Sequence, residues 1–157
     1  MSIEDDIALL QRVPTLSVLG EEALRVLVIG AESRTLEEGE ALFYAGDKAD
    51  AGYVVEEGLL RAVLPSRNAA QVSMGRGTLV GEMSLITETR RPVTVFAAEP
   101  SSVMRIARPL FLKMLQGYPE VAERLRQAMM ARAEQLAGDL GNVRRVLDVS
   151  DEALPNA

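Results

Sequence analysis

The sequence predicts a mainly β domain with flanking helices. The expected core is an eight-stranded antiparallel β-roll of the jelly-roll (double-stranded β-helix) type, with helices before it and a long helix after it. Short β-type segments, separated by Gly, Asp, Asn and Pro, fill residues 33–107. Helical periodicity precedes this region and returns after it. The chain has 157 residues and 48% apolar side chains, enough for one buried core.

The N-terminal helical segment, residues 1–32, is predicted to contain two helices. Ser2 is a good N-cap for the first, whose opening turn is acidic, and Pro14 ends it. The second covers residues 21–29, with Gly30 in a position typical of a helix C-cap.

Eight strands are predicted within the roll, residues 33–107. Their even spacing and intervening turn residues favour an antiparallel barrel or a double-sheet roll. The predicted strands are residues 33–36, 41–44, 52–56, 58–65, 71–74, 78–80, 93–98 and 102–106.

The C-terminal segment, residues 108–147, is predicted to form a short helix at 109–116 and a long helix from about Pro119 to Val146. The long helix carries an apolar stripe with steps of three and four residues, which is typical of a coiled-coil seam. The stripe consists of Leu125, Met129, Ala133, Leu136, Leu140, Val143 and Leu147. It favours a parallel homodimer, or else packing on the roll of its own subunit. Residues 148–157 form a tail, and all four segments belong to one domain.

Composition excludes several classes of function. The chain has no Cys and no His, which rules out disulfides and His-based catalytic triads and disfavours zinc sites. A net charge of −6 is poorly suited to binding a nucleic-acid backbone. No apolar run approaches a membrane span, and the acidic N-terminus has no signal-peptide core. We therefore expect a cytoplasmic protein without membrane contact.

The segment "RGTLVGEMSLITETRRPVTVFAAEP", residues 76–100, carries the candidate binding chemistry. "EMSLI" can form one helical turn whose amides at Ser84 and Leu85 face an anion, and Gly81 allows close backbone approach. Arg91 can add a guanidinium fork. Alternatively, Glu82 is only a helix-end charge, and the arginine pair is solvated.

Two motifs resemble the cyclic nucleotide-binding domain family of the Crp-Fnr type. The first, within residues 39–64, matches the family's turn pattern at Gly46, Asp47, Asp50, Tyr53 and Gly58. The second matches its phosphate-binding cassette at Gly81, Glu82, Met83, Ser84 and Leu85. Arg91 stands three residues before Thr94, which is the family's spacing.

The resemblance implies a ligand, cAMP or cGMP, and no other cofactor. Arg91 would bind the exocyclic phosphate oxygens, and Glu82 would accept the ribose 2′-hydroxyl. Val72 and Met74 would flank the base from the strand before the cassette, although a core role for either is equally open. Leu136 on the long helix would form an apolar lid over the base, or belong to a dimer seam.

Two residues depart from the family's cassette. Pro92 stands where the family usually has a small residue whose N–H also meets the phosphate, and proline has no N–H. Val93 replaces a small alanine and narrows the pocket wall. These departures motivate an alternative, an interaction module that keeps the fold without the ligand.

The function expected from the sequence is that of a stand-alone cyclic nucleotide sensor rather than an enzyme. Ligand binding would act through the long helix on a homodimer or a downstream protein partner. The last ten residues, "DVSDEALPNA", are too few and too acidic to read DNA, so no DNA binding is expected. An enzyme of the cupin type, which shares the roll, would need three or more carboxylates around a metal.

Overall fold

The β-roll is built from two facing antiparallel sheets. The computed structural model describes residues 2–63 and 71–131, and within them ten strands form two four-stranded sheets and one two-stranded ladder. The sheets have the strand orders β1-β10-β4-β7 and β2-β9-β5-β6, and the ladder pairs β3 with β8. The strands are β1 Glu32–Leu36, β2 Ala41–Phe43, β3 Lys48–Ala49, β4 Ala51–Glu57, β5 Leu60–Val63, β6 Gln71–Met74, β7 Leu79–Val80, β8 Thr89–Arg90, β9 Thr94–Ala97 and β10 Ser101–Ala107.

Each of the eight predicted strands has a counterpart, and the boundaries that lie in described residues differ by at most two residues. The structure contains two further strands, β3 and β8, that the sequence analysis did not identify. Each has only two residues, too few to show the alternation by which a strand is recognised in a sequence. The pair matters for the site, because β8 ends immediately before Arg91.

Helices flank the roll on both sides in sequence. They are α1 Ile3–Gln11, α2 Pro14–Ser17, α3 Glu21–Gly30, α4 Arg108–Gly117, and α5, which the structure describes over residues 119–131. Ser2 caps α1 as predicted, through a reciprocal capping box with Asp5. Pro14 follows the end of α1 and also begins α2, a short helix that the sequence analysis did not anticipate. Gly30 is the last residue of α3, with Ala31 as the cap.

Two apolar clusters hold these layers together. One joins the helices to the outer face of β4 and β10 and includes Leu10, Leu16, Leu24, Leu85, Phe111 and Leu125. The other fills the roll between its sheets and includes Leu42, Val55, Leu60, Val95 and Val103. Leu125 and Met129, the first two residues of the predicted stripe, pack on their own chain. The rest of that stripe lies outside the described residues.

None of the helices in residues 2–63 and 71–131 is long and apolar enough to cross a membrane.

Candidate functional site

The predicted helical turn is present and begins at Gly81. Gly81 adopts φ +80°, a left-handed conformation that favours glycine, and a 3-10 helix follows over Glu82–Leu85. We call Gly81 and these four residues the cassette turn. The N–H of Ser84 donates to the Gly81 carbonyl at 3.0 Å, so this amide closes the turn. Leu85 is fully buried beneath it, where its side chain packs tightly against Gly52.

The guanidinium of Arg91 lies directly against the cassette turn. Arg91 is only 4% exposed. Its Nη1 donates to Ser84 Oγ at 3.2 Å, and its Nη2 donates to the Ala51 carbonyl at 2.8 Å. The guanidinium carbon lies 4.1 Å from the centre of the Phe43 ring, a cation–π distance. Nε is buried and finds no hydrogen-bond partner in the described part of the chain.

The main chain of Arg91 is held by the first motif. The N–H of Gly46 donates to the Arg91 carbonyl, and the N–H of Arg91 donates to the Asp47 carbonyl, both at 2.8 Å. The Asp47 carboxylate in turn accepts from the N–H of Tyr44 at 3.0 Å and closes the turn at 44–47. The Gly-Asp motif therefore sets the position from which Arg91 reaches the cassette turn.

The charge on Arg91 has no ion-pair partner among residues 2–63 and 71–131. Burial lowers the pKa of Arg91, and the opposing influences of Tyr53 and Asp50 are smaller. Asp50 is engaged elsewhere, because it accepts from Arg105 at 3.1 Å. A buried cation is costly unless an anion or several hydrogen bonds compensate it. The site is thus arranged to receive a negative charge.

A cavity of about 910 Å³ opens beside the guanidinium. Its polar end is formed by the cassette turn and Arg91, and its remaining walls are largely apolar. Helix α5 closes one side with Leu125, Arg126 and Met129. Of the residues predicted for the site, those that line the cavity are Gly81, Glu82, Met83, Ser84, Arg91, Pro92 and Val93.

Two predicted site residues do not line this cavity, and a third lies outside the described residues. Leu85 belongs to the apolar core, so its side chain anchors the turn from below. Val72 is 47% exposed on β6, which is an edge strand among the described residues, whereas Met74, the other residue predicted from this strand, lines the cavity. Leu136 lies outside the described residues. The cavity remains open at Pro92 and Val93, the two residues that depart from the family's cassette. Pro92 is exposed, and Val93 is half-buried in the cavity wall.

Two side chains that contact the cassette turn were missed. Arg108, at the start of α4, donates from Nη1 to the carbonyls of Ala49, Ser84 and Thr87 at 2.9, 3.2 and 3.0 Å. Thr15 on α2 donates from its hydroxyl to Glu82 Oε2 at 2.7 Å. The order of residues alone gives no sign of either contact, because each joins segments far apart in the chain.

The described residues include no group of three or more acidic side chains placed to hold a metal ion.

A β-roll that buries an arginine against a one-turn helix, at the polar end of an apolar cavity, defines a binding module for a small organic anion. The family profile described as "Cyclic nucleotide-binding domain" matches residues 33–118, more than half of the chain. The protein belongs to the cyclic nucleotide-binding domain family.

Similar proteins include both regulators and larger enzymes. The N-terminal domain of a transcriptional regulator from Streptomyces coelicolor A3(2) is 27% identical with a TM-score of 0.76, covering 84% of this chain and 94% of that one. The Thermus thermophilus catabolite activator protein is 26% identical with a TM-score of 0.68, covering 83% and 62%. Lysophospholipase NTE1 of Chaetomium globosum is 26% identical over 75% of this chain and 8% of its own length. An NTE family protein of Mycobacterium bovis is 31% identical over 80% and 21%. The chain thus spans less than a quarter of these two curated relatives.

Proposed function

We propose that this protein is a cyclic nucleotide sensor that binds cAMP or cGMP and transmits binding through helix α5. The observation that carries the proposal is the buried guanidinium of Arg91 beside the cassette turn, for which the described part of the chain provides no ion-pair partner. A cyclic phosphodiester is a monoanion, so one guanidinium and nearby hydrogen-bond donors match its charge. The role is regulatory, and the proposal assigns no catalysis to the site.

The apolar part of the cavity suits the rest of the ligand. A purine and its sugar need a largely apolar enclosure with a few convergent polar groups. Met74 and Val93 provide apolar wall from the roll, and Glu82 stands at the polar end for the ribose hydroxyl. Two charge-assisted hydrogen bonds contribute about 1.5–3 kcal/mol each. With burial of the base, this supports a dissociation constant of about 1 μM.

Transmission through α5 follows from where that helix lies. Leu125, Arg126 and Met129 line the cavity, so a ligand there contacts the helix directly. A ligand shifts a conformational equilibrium only when its contacts differ between the two states. We infer that nucleotide binding changes the position of α5, and with it a homodimer contact or a surface for a downstream partner. Light scattering tests the dimer: the expected mass is twice 17.0 kDa, and a mass of 17.0 kDa contradicts it.

Titration calorimetry with cAMP and cGMP tests the binding itself. We expect heat of binding and a raised melting temperature for the protein, and neither for Arg91→Met. Arg61→Met is the matched control, because Arg61 lies on β5 and does not line the cavity. The absence of heat and of a thermal shift at millimolar nucleotide would exclude the proposal. Wild-type affinity in Arg91→Met would exclude it as well.

One observation favours a second candidate, an interaction module without a nucleotide. Pro92 lies at the cavity wall and offers no N–H to a phosphate. This candidate predicts that Arg91→Met leaves partner capture unchanged. A pull-down with and without nucleotide separates it from the sensor.

A further inference from the structure

The N-terminal helices reach the candidate site through one hydroxyl group. Thr15 is only 4% exposed, and its Oγ donates to Glu82 Oε2 at 2.7 Å. A carboxylate can only accept hydrogen bonds, so the direction of this bond is fixed when Glu82 is ionised. Its length is typical of a charge-assisted O–H···O⁻ bond. The contact joins α2 to the first residue of the 3-10 helix.

Helix α2 is held in place on both sides of Thr15. Val13 is 2% exposed and Leu16 is fully buried, and both belong to the apolar cluster beneath the helices. Pro14 fixes the backbone at the start of the helix. The Thr15 hydroxyl therefore projects toward Glu82 from a packed element rather than from a mobile loop.

A fixed carboxylate binds a sugar hydroxyl at lower cost than a mobile one. Glutamate has several side-chain torsions, and ordering them on binding costs conformational entropy. The Thr15 bond restrains Glu82 Oε2 before any ligand arrives. Glu82 also lines the cavity, on the same turn as Ser84 and beside Arg91. Restraint of Glu82 thus affects the part of the cavity where a ribose next to a phosphate at Arg91 would lie.

We propose that Thr15 is a positioning residue for ribose recognition. It holds the Glu82 carboxylate in the orientation that accepts the 2′-hydroxyl of a cyclic ribonucleotide. The inference rests on the proposed function and extends it, because it makes the N-terminal helical segment part of the ligand site. It also assigns to Thr15 the preference for a ribose over a 2′-deoxyribose.

The test pairs a protein change with a ligand change. Thr15→Val removes the hydroxyl and keeps the shape of the side chain. Dissociation constants are measured by calorimetry for 3′,5′-cyclic AMP and for its 2′-deoxy analogue, which lacks the group that Glu82 would bind. We expect Thr15→Val to weaken cyclic AMP about tenfold and the deoxy analogue less than twofold. Thr15→Ser, which restores a hydroxyl, should recover most of the loss.

Ser17→Ala is the matched control on the same helix. The Ser17 hydroxyl donates to the Pro14 carbonyl at 2.8 Å, so its removal perturbs α2 without touching Glu82. We expect it to leave the affinity ratio of the two nucleotides unchanged. If Thr15→Val does not fold, the same measurement is made on Thr15→Ala. In the background of Glu82→Gln, changing Thr15 should have no further effect on the ratio.

The outcomes separate this inference from the proposed function. If the wild-type protein binds neither cAMP nor cGMP, the proposed function fails and the inference falls with it. A protein that binds only cGMP is tested in the same way with cGMP and its 2′-deoxy analogue. If the wild-type protein binds but Thr15→Val weakens both ligands equally, or weakens neither, the sensor remains and the positioning role is overturned. A selective loss of cyclic AMP affinity, recovered by Thr15→Ser, supports the role.

Discussion

The substitution Gly81→Ala is expected to lower both the folding stability of the protein and its affinity for the ligand, for two different reasons. A Cβ at this position would lie 2.5 Å from Arg91 Nη1, closer than real Cβ atoms come to other heavy atoms. The guanidinium therefore has to move. Its bond to Ser84 Oγ, already 3.2 Å long, is the contact that such a shift threatens first. Arg91 would then leave the position at which, under the proposed function, it binds the phosphate.

The loss of folding stability and the loss of ligand affinity have different physical causes. Alanine at φ +80° costs about 1–2 kcal/mol of folding free energy, because its Cβ crowds the neighbouring carbonyl. Loss of a charge-assisted contact between Arg91 and a bound phosphate costs about 1.5–3 kcal/mol of binding free energy. That loss corresponds to a roughly tenfold to hundredfold weaker affinity.

Gly39→Ala isolates the first effect. Gly39 has φ +85°, but a Cβ there meets nothing within 4 Å. Urea denaturation should therefore show a similar loss of unfolding free energy for both variants, about 1–2 kcal/mol. Calorimetry with the cyclic nucleotide should show weaker binding only for Gly81→Ala. Equal affinities in the two variants would refute the argument that Gly81 makes room for the Arg91 guanidinium.

Two further predictions concern the support of the roll. Arg108→Ala removes the donor to three carbonyls at 2.9–3.2 Å. Amide hydrogen exchange in residues 82–88 should therefore become several-fold faster. The control Lys113→Ala, on the exposed face of α4, should leave the exchange rate unchanged. Burial raises the pKa of Glu56, a hydrogen bond from Ser33 partly offsets this, and the nearby Asp6 charge adds to it. Because the folded state then holds the proton more tightly, its stability is greatest below the ordinary glutamate pKa and declines as pH rises through the raised one. Glu56→Gln should remove this decline in urea midpoints followed from acidic to neutral pH, and an unchanged slope would contradict it.

The order of the elements was predictable because local patterns specify it. Ser2 and the acidic turn that follows it predicted the start of α1, and the frequent turn residues predicted a roll. The β3–β8 ladder was not predictable, because two-residue strands are defined by their partner rather than by their own sequence. Helix α2 was missed for a related reason, since Pro14 was interpreted as a stop and is also a favourable first residue of a helix.

In the site, too, contacts between residues close in sequence were predictable and contacts between distant segments were not. Gly81, Glu82 and Arg91 are close in sequence, and the resemblance to the family's cassette predicted one pocket for them. In the structure all three line the same cavity. Thr15 lies before the roll in sequence and Arg108 directly after it, and both contact the same turn. A single sequence carries no sign of such pairs. Val72 was assigned to the cavity from its strand alone, whereas its exposure depends on the edge position of β6.

The two hydrogen bonds that tie the Arg91 main chain to Gly46 and Asp47 bear on any attempt to transplant this site. An engineer who grafts only residues 81–94 onto another roll moves the guanidinium but leaves behind the loop that aims it. The graft therefore has to include residues 44–47 as a second, separate insertion. A transferable version of this site therefore consists of two segments, residues 44–47 and 81–94, and neither is expected to hold the guanidinium in place without the other.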